Sequence, residues 1–588
     1  MKGPPAPPAP HPTAVEALRA AAGHPSGTTF VGLREEEVRL GWDEVQSRAS
    51  RVAGALVDLG IRPGDRVALV LRTEPAFLDV FFGALLAGAV PVPLYPPVRL
   101  GRMEEYLGAT ARMLRVSGAR VVVASGAVRR LLGEAVAGAR PELGCREAGW
   151  LLARGRPAEP VSPAPTDLAL VQFSSGSTVD PKPVALTHAN LMAQVGALMA
   201  LVRPTDRDCL VSWLPLYHDM GLIGCLLGAA SYPGPLVLIA PEHFLARPAL
   251  WLRAIARHRG TISAAPHFAY AYAEQRVRDE DLAGLDLASW RVALDGAEPV
   301  TAPPLRRFAD RFERFGLDRR ALMPVYGLSE AALAVTFAPP RPEVRTLRVG
   351  PAALGARIEA GEREVISVGA PVPGVEVEIR GPGGEALAER HLGRIHVRGP
   401  SVMQGYLGDP EATGRVLRDG WLDTGDLGFA DGGELFVHGR AKDLVIVRGA
   451  NHAPEEFESC LDGIAGLRPG CAVALGYLPP GADGEELLLL AELPRKAAAT
   501  RTEQLEEAIR TAVLERTGVR PHQVRLLPPG TLPRTSSGKM RRAEALRRVL
   551  AGELAPPAGT GGVALARALA RSALAYARAR REPRPERG

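Results

Sequence analysis

The sequence predicts an α/β protein. A large N-terminal domain of doubly wound α/β layers carries a small β region, and a small α+β C-terminal domain follows. Three observations carry this. From Val15 to about Gly361, short apolar strands alternate with longer helical stretches: Arg66–Leu71, Pro75–Leu86, Val90–Leu94, Met103–Val116, Val121–Val123. Val375–Arg380, Gly393–Arg398 and Glu434–His438 then alternate apolar and polar residues between Gly-rich turns, the mark of a mainly antiparallel sheet. After Gly439-Arg440 the pattern changes again. A strand at Asp443–Arg448, a helix at Pro454–Cys460, strands at Val473–Leu478 and Leu487–Leu493 and a helix at Glu503–Arg516 make a unit of domain size.

The division that follows is a disordered proline-rich arm over 1–14, an N-terminal domain over 15–439, a C-terminal domain over 440–553, and a linker with a basic amphipathic tail over 554–588. In the tail helix Val563–Arg581, Leu565, Leu569 and Tyr576 share one side, with Arg567, Arg571 and Arg578 opposite. Such a helix suits an anionic membrane, an acidic partner or light packing on the body. A chain of 588 residues exceeds one hydrophobic core, so more than one domain is required.

The net charge of +6 suggests nucleic-acid binding, but residues 556–588 hold seven arginines and two glutamates and so supply most of it. The body is near neutral, and a basic groove for DNA or RNA is not supported. Five scattered cysteines without a C-x-x-C pair argue against a disulfide framework or a zinc site. Without an apolar leader or a membrane-length apolar run, a cytoplasmic protein is expected.

The chemistry centres on Ser174-Ser175-Gly176-Ser177-Thr178-Val179-Asp180-Pro181-Lys182, which follows the apolar strand Leu168–Phe173. Hydroxyls and backbone N–H groups of such a loop can converge on an anion, with the lysine as a mobile charge. It is not a Walker loop, since no G-x-x-x-x-G-K-[ST] occurs. Asp295-Gly296-Ala297-Glu298-Pro299, Val325-Tyr326-Gly327-Leu328-Ser329-Glu330, Asp423-Thr424-Gly425-Asp426, Gly439-Arg440-Ala441-Lys442-Asp443 and Arg534-Thr535-Ser536-Ser537-Gly538-Lys539 follow in order. Singly each reads as a turn, a cap or a solvated charge; together and in this order they form a specific signature.

With these motifs the chain resembles the adenylate-forming (AMP-binding) superfamily from about residue 30 to 550. Within it the chain is similar to fatty acyl-AMP ligases, on Ser212–Gly224, Ser263–Tyr270, Gly439–Gly449 and Asn451-His452. The segment from about 341 to 366 falls where those ligases carry an insertion. The resemblance implies that a fatty acid attacks the α-phosphate of ATP, expelling pyrophosphate, and that Mg²⁺ assists. Ser174–Thr178 and Lys182 would hold the β- and γ-phosphates. Gly296, Ala297 and Glu298 would flank the adenine edge, with Tyr326 and Gly327 at its face. Ser329 would contact phosphate, Glu330 would hold Mg²⁺, and Asp426 and Arg440 would hold the ribose. Lys539 would stabilise the transition state, His218 would sit near the carboxylate, and Lys442 would be the hinge of a mobile C-terminal domain. Met220, Ile223 and Phe268 are acyl-pocket candidates. The acyl group would pass to the phosphopantetheine thiol of a separate acyl carrier protein or polyketide/peptide synthase. The alternatives are a fatty acyl-CoA ligase of the same fold and a catalytically weak acyl-adenylate or lipid-sensing module. Departures from the family pattern are Asp180, Pro183, Asp295 and Val368.

Overall fold

The computed structural model describes the chain except residues 98–101, 175–180, 351, 448–449, 463, 480–484, 495–501, 536–538, 558–561 and 582–588. The N-terminal domain builds two α/β layers. In the first, the strands Val90–Pro93, Arg66–Val70, Val121–Ala124 and Cys145–Glu147 run parallel. Alternation along Arg66–Val70 sends Val67 and Leu69 to one face, with Phe77 and Phe81 of the helix Pro75–Leu86. Ala68 and Val70 face the other way, with Met103 and Leu107 of the helix Met103–Ser117. A parallel sheet covered on both faces explains why its strands read as continuous apolar runs.

The second layer is a nine-stranded sheet with a parallel centre and antiparallel edges. Three of its central strands are adjacent and in register: Ile262–Pro266, Val292–Gly296 and Leu322–Gly327. Their carboxyl ends release His267-Phe268, Ala297-Glu298 and Ser329-Glu330 at one edge of the layer, where ligands of open α/β sheets collect. An antiparallel sheet built on Glu376–Arg380, Gly393–Arg398, Trp421–Asp431 and Glu434–Arg440 adjoins it, and its pairing sets Asp426 opposite Arg440. The C-terminal lobe wraps the helices Thr502–Thr517 and Arg542–Leu550 around the sheet Ala472–Tyr477, Glu486–Glu492, Gln523–Leu527.

One terminal segment departs from expectation and the other takes one of the expected arrangements. The proline-rich arm is docked rather than disordered. Met1 donates its ammonium to Val377 O at 2.6 Å, Gly3 N–H to Val375 O at 2.8 Å, and Gly374 N–H to Pro4 O at 2.8 Å. Prolines lack N–H groups but their carbonyls still accept, so a chain with little to bury can lie along an edge as a strap. The tail helix Gly562–Arg581 also lies on the N-terminal body. Ser572 is buried and its hydroxyl accepts from Gly133 N–H at 2.7 Å, while Tyr576 O–H donates to Arg129 O at 3.0 Å. Ala568, Ser572 and Tyr576 form the inward stripe, and Leu565 is exposed. Residue volume at the contact decides this, because a β-carbon on Gly133 would overlap Ser572.

The segment from 341 to 366 contains the hairpin Thr346–Val349 with Arg363–Ile366. Leu347, Val349 and Val365 share a cluster with Leu427, Phe429, Ala441 and Leu444, so the hairpin leans on the crossing into the C-terminal lobe.

Candidate active site

The strands Leu168–Phe173 and Pro183–Thr187 form a hairpin whose connection is the Ser/Gly loop. Ser174 and Lys182 close its base: Ser174 N–H donates to Lys182 O at 2.9 Å, and Lys182 N–H donates to Ser174 Oγ at 3.2 Å. Ser175, Gly176, Ser177 and Thr178, like Asp180, lie outside the described residues. Lys182 Nζ stands 4.5 Å over the ring of Tyr406, a cation–π contact. Tyr406 donates its hydroxyl to Glu330 Oε1 at 3.0 Å. Lys182 and Glu330 are therefore linked through an aromatic side chain that no sequence spacing flags.

The next strand ends on glycines for want of space. A β-carbon on Gly296 would lie 2.6 Å from a Val325 methyl, and one on Gly327 only 1.8 Å from Leu333 O. Beyond Gly296 the chain turns at Ala297, whose φ of 64° lies in the left-handed region. Glu298 accepts from Phe268 N–H at 3.1 Å. Burial raises the Glu298 carboxyl above its ordinary range.

Tyr326 is half-buried in the wall of the site and donates its hydroxyl to Asp426 Oδ2 at 2.7 Å. Asp426 Oδ1 stands 3.3 Å from Arg440 Nε. Asp219, which sequence reasoning left without a role, is a buried hub. It pairs with His218 Nδ1 at 2.7 Å and accepts from the Ser329 hydroxyl. Burial pushes the Asp219 carboxyl up, but His218, Ser329 and the more distant Lys539 outweigh it and hold it below the usual carboxylate range. His218 Nε2 is buried and has no hydrogen-bond partner among the described residues.

Lys539 reaches this place from the other lobe. Its segment is tied by Thr535 N–H to Lys539 O at 2.8 Å and Lys539 N–H to Thr535 Oγ1 at 3.0 Å. The side chain is half-buried, and burial lowers its pKa against the pull of Asp219 and Glu298. Lys442 also lines the site, where burial and then Arg440 lower its pKa.

An interlobe cleft of about 2440 Å³ and a narrower cavity of about 540 Å³ share the lining residues Ser174, His218, Tyr326, Asp426, Arg440 and Lys539. From these polar residues the smaller cavity continues between apolar side chains, among them Met199, Val202, Met220, Ile262, Leu333 and Phe337. Met220 thus lines a tunnel. Phe268 lines the cleft instead, edge-on to Trp213 with ring centroids 6.0 Å apart. Ile223 lines neither and is wholly buried in the main core. On the π-helical turn Met220–Leu227, Met220 and Gly224 face the cavity and Ile223 projects elsewhere.

A model of the AMP-binding enzyme family matches residues 18–407. This chain belongs to that family. Over 92% of its length this AMP-binding enzyme is 37% identical to a putative acyl-CoA synthetase of Caulobacter vibrioides, covering 96% of that protein. Over 90% it is 31% identical to the medium-chain-fatty-acid–[acyl-carrier-protein] ligase JamA of Moorena producens, covering 92% of it. A solved structure from a study of fatty acyl-adenylate ligases from E. coli and L. pneumophila superposes with a TM-score of 0.85 at 36% identity, covering 92% of this chain and 98% of that one. Within the family the chain is thus similar to fatty acyl-AMP ligases. Among the described residues no helix is long and apolar enough to cross a membrane.

Proposed function

We propose that this enzyme joins a fatty acid to the α-phosphate of ATP, releasing pyrophosphate, and passes the acyl group to the phosphopantetheine thiol of a separate acyl carrier protein. The observation that carries the first step is Lys539. An ammonium from the second lobe, half-buried, stands in the wall shared by a polar cleft and an apolar tunnel.

In the first step a carboxylate oxygen bonds to the α-phosphorus as the bond to the bridging oxygen of pyrophosphate breaks. Holding these groups in line and offsetting their charge is the protein's main work. Lys182 and Ser174 would face the departing phosphates, and Lys539 would offset charge on the α-phosphate oxygens as a compact point charge. Asp426 and Arg440 take the ribose hydroxyls, and Tyr326 and the 296–298 backbone take the adenine. His218, whose Nε2 has no hydrogen-bond partner among the described residues, would meet the carboxylate. Glu330, a half-buried carboxylate in the group containing Tyr406 and Lys182, would hold a Mg²⁺. The ion would supply charge neutralisation there. In the second step the thiol sulfur bonds to the acyl carbon and AMP leaves. Rotation of the C-terminal lobe about Lys442 would withdraw Lys539 first.

Pyrophosphate release across a series of fatty acids tests the first step. Lys539→Ala should lower it on the order of 100-fold, with fatty-acid KM little changed. Release from the wild type with no carboxylic acid of the series would overturn it. For the acceptor, the hairpin that leans on Ala441 and Leu444 favours a restricted lobe and the carrier. The likeness to the Caulobacter protein favours coenzyme A. Incubation with ATP, fatty acid and either coenzyme A or holo-carrier protein decides by which thioester forms. Arg567 and Arg578 lie on the exposed side of the tail helix, a surface that fits an acidic carrier.

A further inference from the structure

Two residues at the start of the helix His267–Arg276 grip one loop at three points. His267 Nδ1 lies 2.7 Å from Asp295 Oδ2, and its Nε2 lies 2.9 Å from Thr301 Oγ1 and 3.3 Å from Thr301 N. Phe268 N–H holds the Glu298 carboxylate between them at 3.1 Å. The imidazole therefore spans the loop from its first residue to its last. Within that span lie the close-packed Gly296 and Ala297 with its left-handed φ, a conformation that persists only when its surroundings impose it.

We propose that His267 is a positioning residue that braces the loop 295–301 and thereby sets the affinity of the enzyme for ATP. This rests on the reading above that residues 296–298 receive the adenine. The brace works in either protonation state of the ring. Nδ1–H donates to Asp295 throughout, while Nε2 accepts from Thr301 N–H when neutral and donates to Thr301 Oγ1 when charged. Asp295 is fully buried, so its carboxylate has no solvent to fall back on, and among the described residues its Oδ1 has no hydrogen-bond partner. Burial disfavours the charged ring, but Asp295 beside it, with Glu298 and Asp462 farther off, outweighs burial and raises the His267 pKa. Sequence alone shows two ordinary polar residues 28 positions apart; the parallel register that sets Pro266 beside Gly296 brings them together.

The test uses the full chain with Mg·ATP as probe. Titration calorimetry without fatty acid gives the ATP Kd, and pyrophosphate release gives kcat and both KM values. In His267→Ala the ATP Kd and KM are expected to rise on the order of tenfold, because the loop ends lose their tie and Asp295 loses its buried partner. Fatty-acid KM and kcat at saturating ATP should stay within about 2-fold, since the tunnel is lined by other segments. His267→Asn, which can still donate to Asp295, should recover part of the loss. The double variant His267→Ala/Asp295→Ala should be no weaker in ATP binding than the worse single, because the two substitutions share the loss of the His267–Asp295 bond. A general packing defect would instead lower Tm and raise both KM values together, and that pattern overturns the proposal. So does an ATP Kd within about 2-fold of wild type in a folded His267→Ala protein. If that variant does not fold, His267→Gln and Asp295→Asn are read in the same way, and an unchanged Kd in both overturns the brace. A wild type that binds no ATP overturns the site reading and the brace together, whereas wild-type binding with indifferent variants overturns the brace alone.

Discussion

Asp219 and His188 show how single buried polar groups order this molecule. Asp219 fixes His218 on one side and Ser329 on the other, and all three residues line the cavity. His188 serves the fold instead. Its Nδ1 accepts from Ala14 N–H at 3.2 Å, anchoring the end of the N-terminal strap. Burial pushes its pKa down to about 4, only partly opposed by Asp167. An unfolded chain binds the proton near the ordinary value of about 6.5, whereas the folded one does not. Its contribution is therefore complete above the unfolded pKa and declines as pH falls toward 4. Urea unfolding at pH 7 and pH 5 should show about 2 kcal/mol of acid destabilisation that is absent from His188→Gln. Equal acid sensitivity in both proteins would refute the assignment.

Among the elements, the three adjacent parallel strands decide where the chemistry sits. Each is an apolar run whose last residues turn into a motif, and the sheet sets those ends side by side. Gly327 matters because Leu333 O packs where a side chain would begin. Gly327→Ala forces one backbone segment away from the other, carrying Ser329 and Glu330 with it. Pyrophosphate release is expected to fall about 100-fold with fatty-acid KM changed less, since displacements near 1 Å have that effect. Activity within about 3-fold of wild type would show that the strand end accommodates the methyl. Motif order and the strand preceding each motif were legible in the sequence. Tyr406 was not, because it joins Lys182 and Glu330 only after Gly405-Tyr406 pairs with Val184 and Ala185. Neither was the failure of Ile223 as a pocket residue, since apolarity is the same whether a side chain faces a tunnel or a core.

For the whole molecule, the C-terminal lobe is bounded at both ends. Its first strand, Val445–Val447, follows the strand Glu434–Arg440 of the N-terminal body, and its last residues lead to a helix packed on that body. Neighbouring carboxylates on one helix of that body meet both parts: Glu105 pairs with Arg548 of the lobe at 2.7 Å and Glu104 with Arg571 of the tail at 2.6 Å. Glu104 and Arg571 are exposed, so packing around Ser572 and Tyr576 rather than this pair holds the tail. Cys145 lies under Tyr576, and burial pushes its thiol up to about 11. All five cysteines are buried. Removal of residues 556–588 should therefore leave adenylation intact but create one thiol that reacts quickly with an aromatic disulfide reagent. No gain in reactive thiol on truncation would contradict the docked tail.

Sequence by itself determined the layered α/β class, the order of the site motifs and the family, because strand–helix periodicity and short turn signatures are local properties of the chain. It also placed most of the charge in the last 33 residues. Tertiary structure alone decided that the proline-rich arm and the arginine tail pack on the body, and that Lys539 shares a wall with Asp219. It also brought His267 to both ends of the 295–301 loop. Those facts depend on strand register and on volume at a few contacts such as Gly133 against Ser572. Neither is encoded in the spacing of residues along the chain.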